Sequence, residues 1–154
     1  MALETLRFLA VIVTGVALIA PGAHLFALAN KIGMTGEDYF LVQRIYLGWW
    51  LVGLALPAAF VIDMAFAVAA RHDPVTFRLA LAAAVFVAVN LAIYFTWTEP
   101  ANAATQNWTV RPDNWESLRR QWEYSHAVNF FVILAAFCAA TLAALRASPA
   151  GPSA

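Results

Sequence analysis

Four long apolar runs separated by polar connections set the pattern of this chain. Between Arg7 and Lys31 lie 23 residues without a formal charge. Between Arg44 and Asp63 lie 18, and that run resumes to Ala70. Between Arg78 and Glu99 lie 20, and between Glu123 and Arg146 lie 22. A bilayer core of ~30 Å takes about 20 apolar helical residues to cross. The runs therefore predict four membrane-spanning helices, at roughly 7–29, 44–70, 78–98 and 125–146. The first run exceeds the length of a signal-peptide core and lacks a small-residue cleavage site before a polar mature chain, so it reads as a retained helix. The expected fold is an all-α bundle of four transmembrane helices over residues 1–146, with an amphipathic helical lid segment before helix four and a disordered tail at 147–154.

Two further patterns bear on packing. Ala80, Ala84, Ala88 and Ala92 form a small-residue stripe on the third span, and Ala136, Ala140 and Ala144 do so on the fourth. Small residues at such spacing let helix backbones approach within lipid. Pro21 and Pro57 each remove a helical hydrogen bond and predict kinks in spans one and two. A carbonyl freed in this way is costly in hydrocarbon, so both kinks should face protein or a wet cavity.

Composition agrees with a lipid solvent. The chain has 154 residues, of which 63% are hydrophobic and 12% charged, and its mean hydropathy is +0.72. A soluble domain carries about 25% charged residues. The lipid bilayer is therefore the first expected partner. Net charge is zero and no basic stripe is present, which argues against nucleic-acid binding. Cys138 is the single cysteine, so no internal disulfide and no C-x-x-C redox pair exists.

The two ends of the bundle differ. With four spans, both termini and the 71–77 loop share one side, and the 30–43 and 99–124 loops share the other. All six tryptophans (49, 50, 97, 108, 115, 122) and all four tyrosines (39, 46, 94, 124) fall toward the second side. Interfacial aromatic belts normally occur at both membrane faces. A one-sided cluster that includes Trp49 therefore reads as the lining or lid of a site, with an anchor role as the plainer alternative. Lys and Arg number four on the terminal side and five on the aromatic side. The short, simply basic segments of the terminal side lean the termini toward the cytoplasm.

The stretch Trp97–Asn129 concentrates the candidate chemistry. Asp113 followed by Glu116 fits a helix N-cap with glutamate at the third position. From there Trp115, Arg119, Trp122, His126 and Asn129 recur at spacings that put them on one helix stripe. An amphipathic lead-in with a Glu116–Arg120 surface pair would account for the charges. It does not account for an imidazole and an amide carried inward at membrane depth, where polar groups are costly without partners. Partners available at that level are His24, Gln43, Arg44, Tyr46, Asn90, Thr96, Thr98, Glu99 and Asn102. Glu123 and His126 supply half of the paired E-x-x-H signature of two-metal helical bundles, with His24, Glu99 and Glu116 as possible further ligands. His24 and His126 offer a haem-ligating pair as a further alternative. With neither signature complete, the expected cofactor is none. Asp63 stands apart, and its expected partners are Arg71, His72 or Arg78.

The segments AHLFALANKIGMTGEDYF, RIYLGWW and TEPANAATQNWTVRPDNWESLRRQWEYSHAVN resemble a family of small four-helix membrane proteins that includes the anthrone oxygenase-like proteins. The most specific elements are Pro100/Asn102, Asp113/Trp115 and Arg119/Trp122/Glu123/His126. The resemblance is to the bacterial members, which implies a bacterial inner membrane. Family members with an assigned activity oxidise anthrones with molecular oxygen and no obvious cofactor. That chemistry implies a hydrophobic aromatic small molecule as ligand and His126 as general base, oriented by Glu123 or another carboxylate. It further implies Arg119, Asn102 or Asn129 as stabilisers of developing negative charge, with Trp115 and Trp122 as stacking surfaces. His24, Trp49 and Glu99 complete the expected pocket. Two other classes stay open: a metal or haem redox protein, and a non-catalytic subunit or small-molecule carrier acting as a homo-oligomer or with a membrane-complex partner.

Overall fold

The structure, a computed structural model, describes residues 3–146. The chain folds as α1 (Leu3–Ala17), α2 (Ile19–Lys31), α3 (Gly36–Gln43), α4 (Trp50–Gly53), α5 (Ala55–Ala69), α6 (Pro74–Ile93), α7 (Glu99–Ala104) and α8 (Trp115–Leu145). A 3-10 turn spans Arg44–Tyr46, and a π turn at Tyr94–Thr98 joins α6 to α7. No strand occurs among the described residues. Four helical stretches are long and apolar enough to cross a bilayer: Leu3–Lys31, Trp50–Ala69, Pro74–Ala104 and Trp115–Leu145. The protein is an integral membrane four-helix bundle. The predicted tail at 147–154 lies outside the described residues.

Each span packs on its neighbours in chain order, α1 on α5, α5 on α6 and α6 on α8, and α8 closes the ring against α1 and α2. Arg146 at the end of α8 lies 3.9 Å from Asp73 in the loop between spans two and three, so those two ends share one face. Side chains such as Phe8, Val61 and Phe131 stand outward and exposed, as a lipid-facing surface requires. Cys138 is also on the exposed face.

The buried seam of α8 runs through Arg119, Trp122, His126, Asn129, Ile133, Ala136, Ala140 and Ala143. These alternate at three and four residues, the spacing of coiled-coil packing. The small-residue stripes hold only in part. Ala80, Ala84, Ala136 and Ala140 are fully buried, but Ala88 and Ala92 are exposed and Ala144 is half-buried. A strict four-residue step advances about 40° per repeat on a 3.6-residue helix and leaves the seam. The seam of α6 passes instead through Ala83, Val87 and Asn90.

Both proline expectations have a counterpart. Span one breaks at Leu18, between α1 and α2, and span two at Leu54, between α4 and α5. Each break lies three residues before a proline, in the turn that loses its hydrogen bond. Span two starts at Trp50 rather than 44, because Leu47 is extended and Gly48 adopts a left-handed φ of 87°. The lead-in to helix four forms the first turns of α8. Asn114, not Asp113, precedes the first helical residue, and its side chain makes no cap bond. Glu116 and Arg120 are exposed and form no pair. Asp63 does not meet the loop cations. It is fully buried on the inner face of α5, where Oδ2 accepts a hydrogen bond from Thr14 of α1 at 3.2 Å.

Candidate functional site

The polar centre lies at the aromatic end, between α2, α3 and α8. His24 and Lys31 stand seven residues apart, two turns along one face of α2. Thr35 caps α3 by accepting from Asp38 N and donating to Asp38 Oδ2, which sets this short helix across the bundle mouth. Tyr39 and Gln43, four residues apart on α3, then point inward.

Lys31 Nζ donates to Glu123 Oε1 at 2.8 Å, with both side chains buried to 2% exposure or less. It also lies 3.3 Å from His24 Nδ1. An ammonium has donors only, so Nδ1 accepts and the His24 proton sits on Nε2. Tyr39 donates to the same Glu123 oxygen at 2.9 Å, and Gln43 Nε2 donates to the Tyr39 hydroxyl at 2.8 Å. Lys31 also sits 5.0 Å from the Tyr46 ring centre and 5.1 Å from that of Trp122, within cation–π range. Burial, and then the Glu123 carboxylate, push the Tyr39 phenol far above its ordinary value, so it stays a donor. The same two causes raise Tyr46.

The imidazoles meet beside this pair. The His24 and His126 ring centres are 4.2 Å apart, and each lies 4.4 Å from Trp122. They line a cleft of about 770 Å³ together with Trp49, Asn102, Trp122 and Asn129. None of its lining side chains is Asp, Glu, Lys or Arg. Pro21 and Pro57 line it too, as do Ala17 and Gly53, whose carbonyls the proline rings cannot serve. Both breaks thus border the cleft, and the second also has an exposed face at Gly53 and Leu54.

The other expected residues are placed elsewhere. Glu123 lies behind the lining, and its contacts are to Lys31 and Tyr39, not to His126. Among the described residues the His126 ring nitrogens have no hydrogen-bond partner. Arg119 Nη1 donates to Met34 O at 2.7 Å, and its guanidinium lies over Trp115 and Tyr39 at 4.7 and 5.4 Å. Arg119 and Trp115 therefore clamp the 32–36 turn to α8 and do not reach the cleft. Glu99 is half-buried and also outside the lining. Asn102 uses its Oδ1 to accept from Trp122 Nε1 at 2.7 Å. Asn90 donates to the Asn129 carbonyl, Thr98 meets Ser125, and Arg44 is exposed.

The metal and haem alternatives meet a poor fit. Among the described residues no three His, Cys, Asp or Glu side chains gather as a metal-binding group. Between Glu123 and His24, where a divalent ion would sit, stands the Lys31 ammonium. The His24 and His126 rings touch, which leaves no room for a macrocycle between them.

Lys31 and Tyr39 are the members of this centre that spacing did not reveal. The available signal was the seven-residue interval from His24 to Lys31, which repeats the helix face. Comparison of the chain with family models, curated proteins and solved structures gives no match, so the family resemblance rests on the motif residues alone.

Proposed function

We propose that the cleft receives a flat, uncharged aromatic small molecule from the bilayer and that His126 acts on it as a general base, in a cofactor-independent oxygenation. The observation that carries this reading is the lining itself: indole and imidazole rings around an uncharged space, with the Lys31–Glu123 ion pair held behind it. An aromatic ketone with an acidic carbon suits such a space. His126 takes the proton from that carbon. The remaining electron pair passes to molecular oxygen, which bonds to the carbon and is protonated to a hydroperoxide. Loss of water then leaves a second carbonyl, so the CH₂ carbon is oxidised and O₂ ends as one carbonyl oxygen and one water. Trp122 offers a ring face and Asn129 an amide beside the reacting edge. In this reading the termini face the cytoplasm of a bacterial inner membrane.

Oxygen uptake and quinone absorbance with an anthrone, in mild detergent, test the proposal. His126→Ala is expected to lower turnover by about 10²-fold or more, the usual worth of a positioned base. Unchanged turnover in that variant removes His126 from the chemistry. A second reading, a carrier without turnover, is favoured by one observation: among the described residues no hydrogen-bond partner orients the His126 ring. Saturable quenching of tryptophan fluorescence by the anthrone, with no oxygen uptake in the wild type, is its expected signature.

A further inference from the structure

The loop between α7 and α8 holds three consecutive residues in the left-handed region: Gln106 at φ 48°, Asn107 at φ 56° and Trp108 at φ 63°. Residues with a Cβ visit this region singly, and a bulky side chain there is unusual. Asn107 N donates to Asn102 O at 2.7 Å, Trp108 N to Thr105 Oγ1 at 3.1 Å and Val110 N to Thr105 O at 3.0 Å. The loop is thus stitched to the end of α7, and the strain it carries delivers one large side chain into the bundle. Trp108 is 5% exposed, packs against Tyr39, Phe40 and Trp122, and lines the cleft.

Ring packing accounts for the burial of Trp108 but not for its indole N–H, which is buried and has no hydrogen-bond partner among the described residues. A buried donor without a partner is uncommon in folded proteins. Phenylalanine would pack without that penalty. The other buried, unpartnered polar atoms of the lining are Gln43 Oε1 and Asn129 Oδ1, both acceptors. We propose that Trp108 is the recognition residue of the cleft, its Nε1–H donating to the carbonyl oxygen of a neutral aromatic ketone held among the indole rings. The proposal rests on the reading that the cleft takes an aromatic ketone, and it adds which residue recognises the carbonyl of that molecule. A site built to hydrogen-bond a group rejects the analogue lacking it, because its own buried atom is then left unpaired.

The test compares two probes of the same ring system, 9,10-anthraquinone and anthracene, which share shape but differ in carbonyl oxygens; neither has the acidic carbon needed for turnover. Affinities are read by tryptophan quenching in detergent, corrected for micelle partition. Wild-type protein is expected to favour anthraquinone about tenfold, the worth of about one hydrogen bond. Trp108→Phe, and replacement of Trp108 by its benzothiophene isostere, are each expected to reduce that preference by five- to tenfold. The isostere keeps the ring volume and removes only the N–H, so it serves if Trp108→Phe fails to fold. Preference retained in the isostere, or no preference in the wild type while both probes bind, overturns the assignment of Trp108. Failure of the wild type to bind either probe instead overturns the reading of the cleft as an aromatic site.

Discussion

At the residue scale the buried Lys31–Glu123 pair dominates. Two charges at 2% exposure or less have lost their hydration, and each is tolerated because the other is there. Lys31→Met leaves the carboxylate unpaired among apolar rings, and Glu123→Leu leaves the ammonium so. Each is expected to destabilise by about 3–5 kcal/mol. The double variant is expected to recover most of that loss, a coupling readable from thermal melts of the four proteins in one detergent. Additive losses would show that the charges are separately solvated. The sequence could not assign this pair. A lysine at the end of an apolar run looks like an interfacial charge, and its partner lies 92 positions away. Only the docking of α2 on α8 joins them. His24, Trp122 and His126 were legible, because polar and aromatic groups inside an apolar helix mark an inward face whatever they touch. Arg119 and Trp115 share that stripe but sit one and two turns earlier, at the level of the 32–36 turn, so stripe position alone misassigned their depth.

At the element scale, local chemistry fixes where helices start and break. Asp73 caps α6, its carboxylate accepting from Val75 N, Thr76 N and Thr76 Oγ1, with Pro74 at the first helical position. The Thr76 hydroxyl bond, with the backbone bonds and Arg146, holds this carboxyl below its ordinary value. A lowered folded pKa means the stabilisation is present above the unfolded carboxyl range and is lost as pH falls through the folded value. Melting temperatures of wild type and Asp73→Ala are therefore expected to differ at neutral pH and to converge as pH falls below about 4. A constant gap across that range would show that the carboxylate charge is irrelevant to the cap. Spans, breaks and aromatic end were readable from charge gaps and prolines. The start of span two was not, because a left-handed Gly48 is a decision of the loop, and apolar content on both sides of it is the same.

At the scale of the whole molecule, the bundle is held by small residues below and by polar and aromatic contacts above. The lower core gathers Ala10, Ala67, Ala80, Ala83, Ala140 and Ala143 around Phe66. In lipid, such contacts gain from close backbone approach rather than from release of water. Ala140→Leu, at a fully buried position, is expected to cost about 1–3 kcal/mol through overpacking, measured as a fall in melting temperature. Ala88→Leu, on the exposed face of the same bundle, is expected to be near neutral. Equal effects of the two would mean the seam is misplaced.

The π turn at Tyr94–Thr98 has a consequence for how the upper half is aligned. One residue more than a regular turn is wound into that stretch, so everything beyond it is rotated by about 100° relative to an uninterrupted α-helix. That phase offset turns Asn102, beyond it, to Trp122. The outer third of the span is thereby indexed to helix four independently of the alanine packing beneath. The exposed face of the lower helix can therefore change without turning Asn102 away from the cleft.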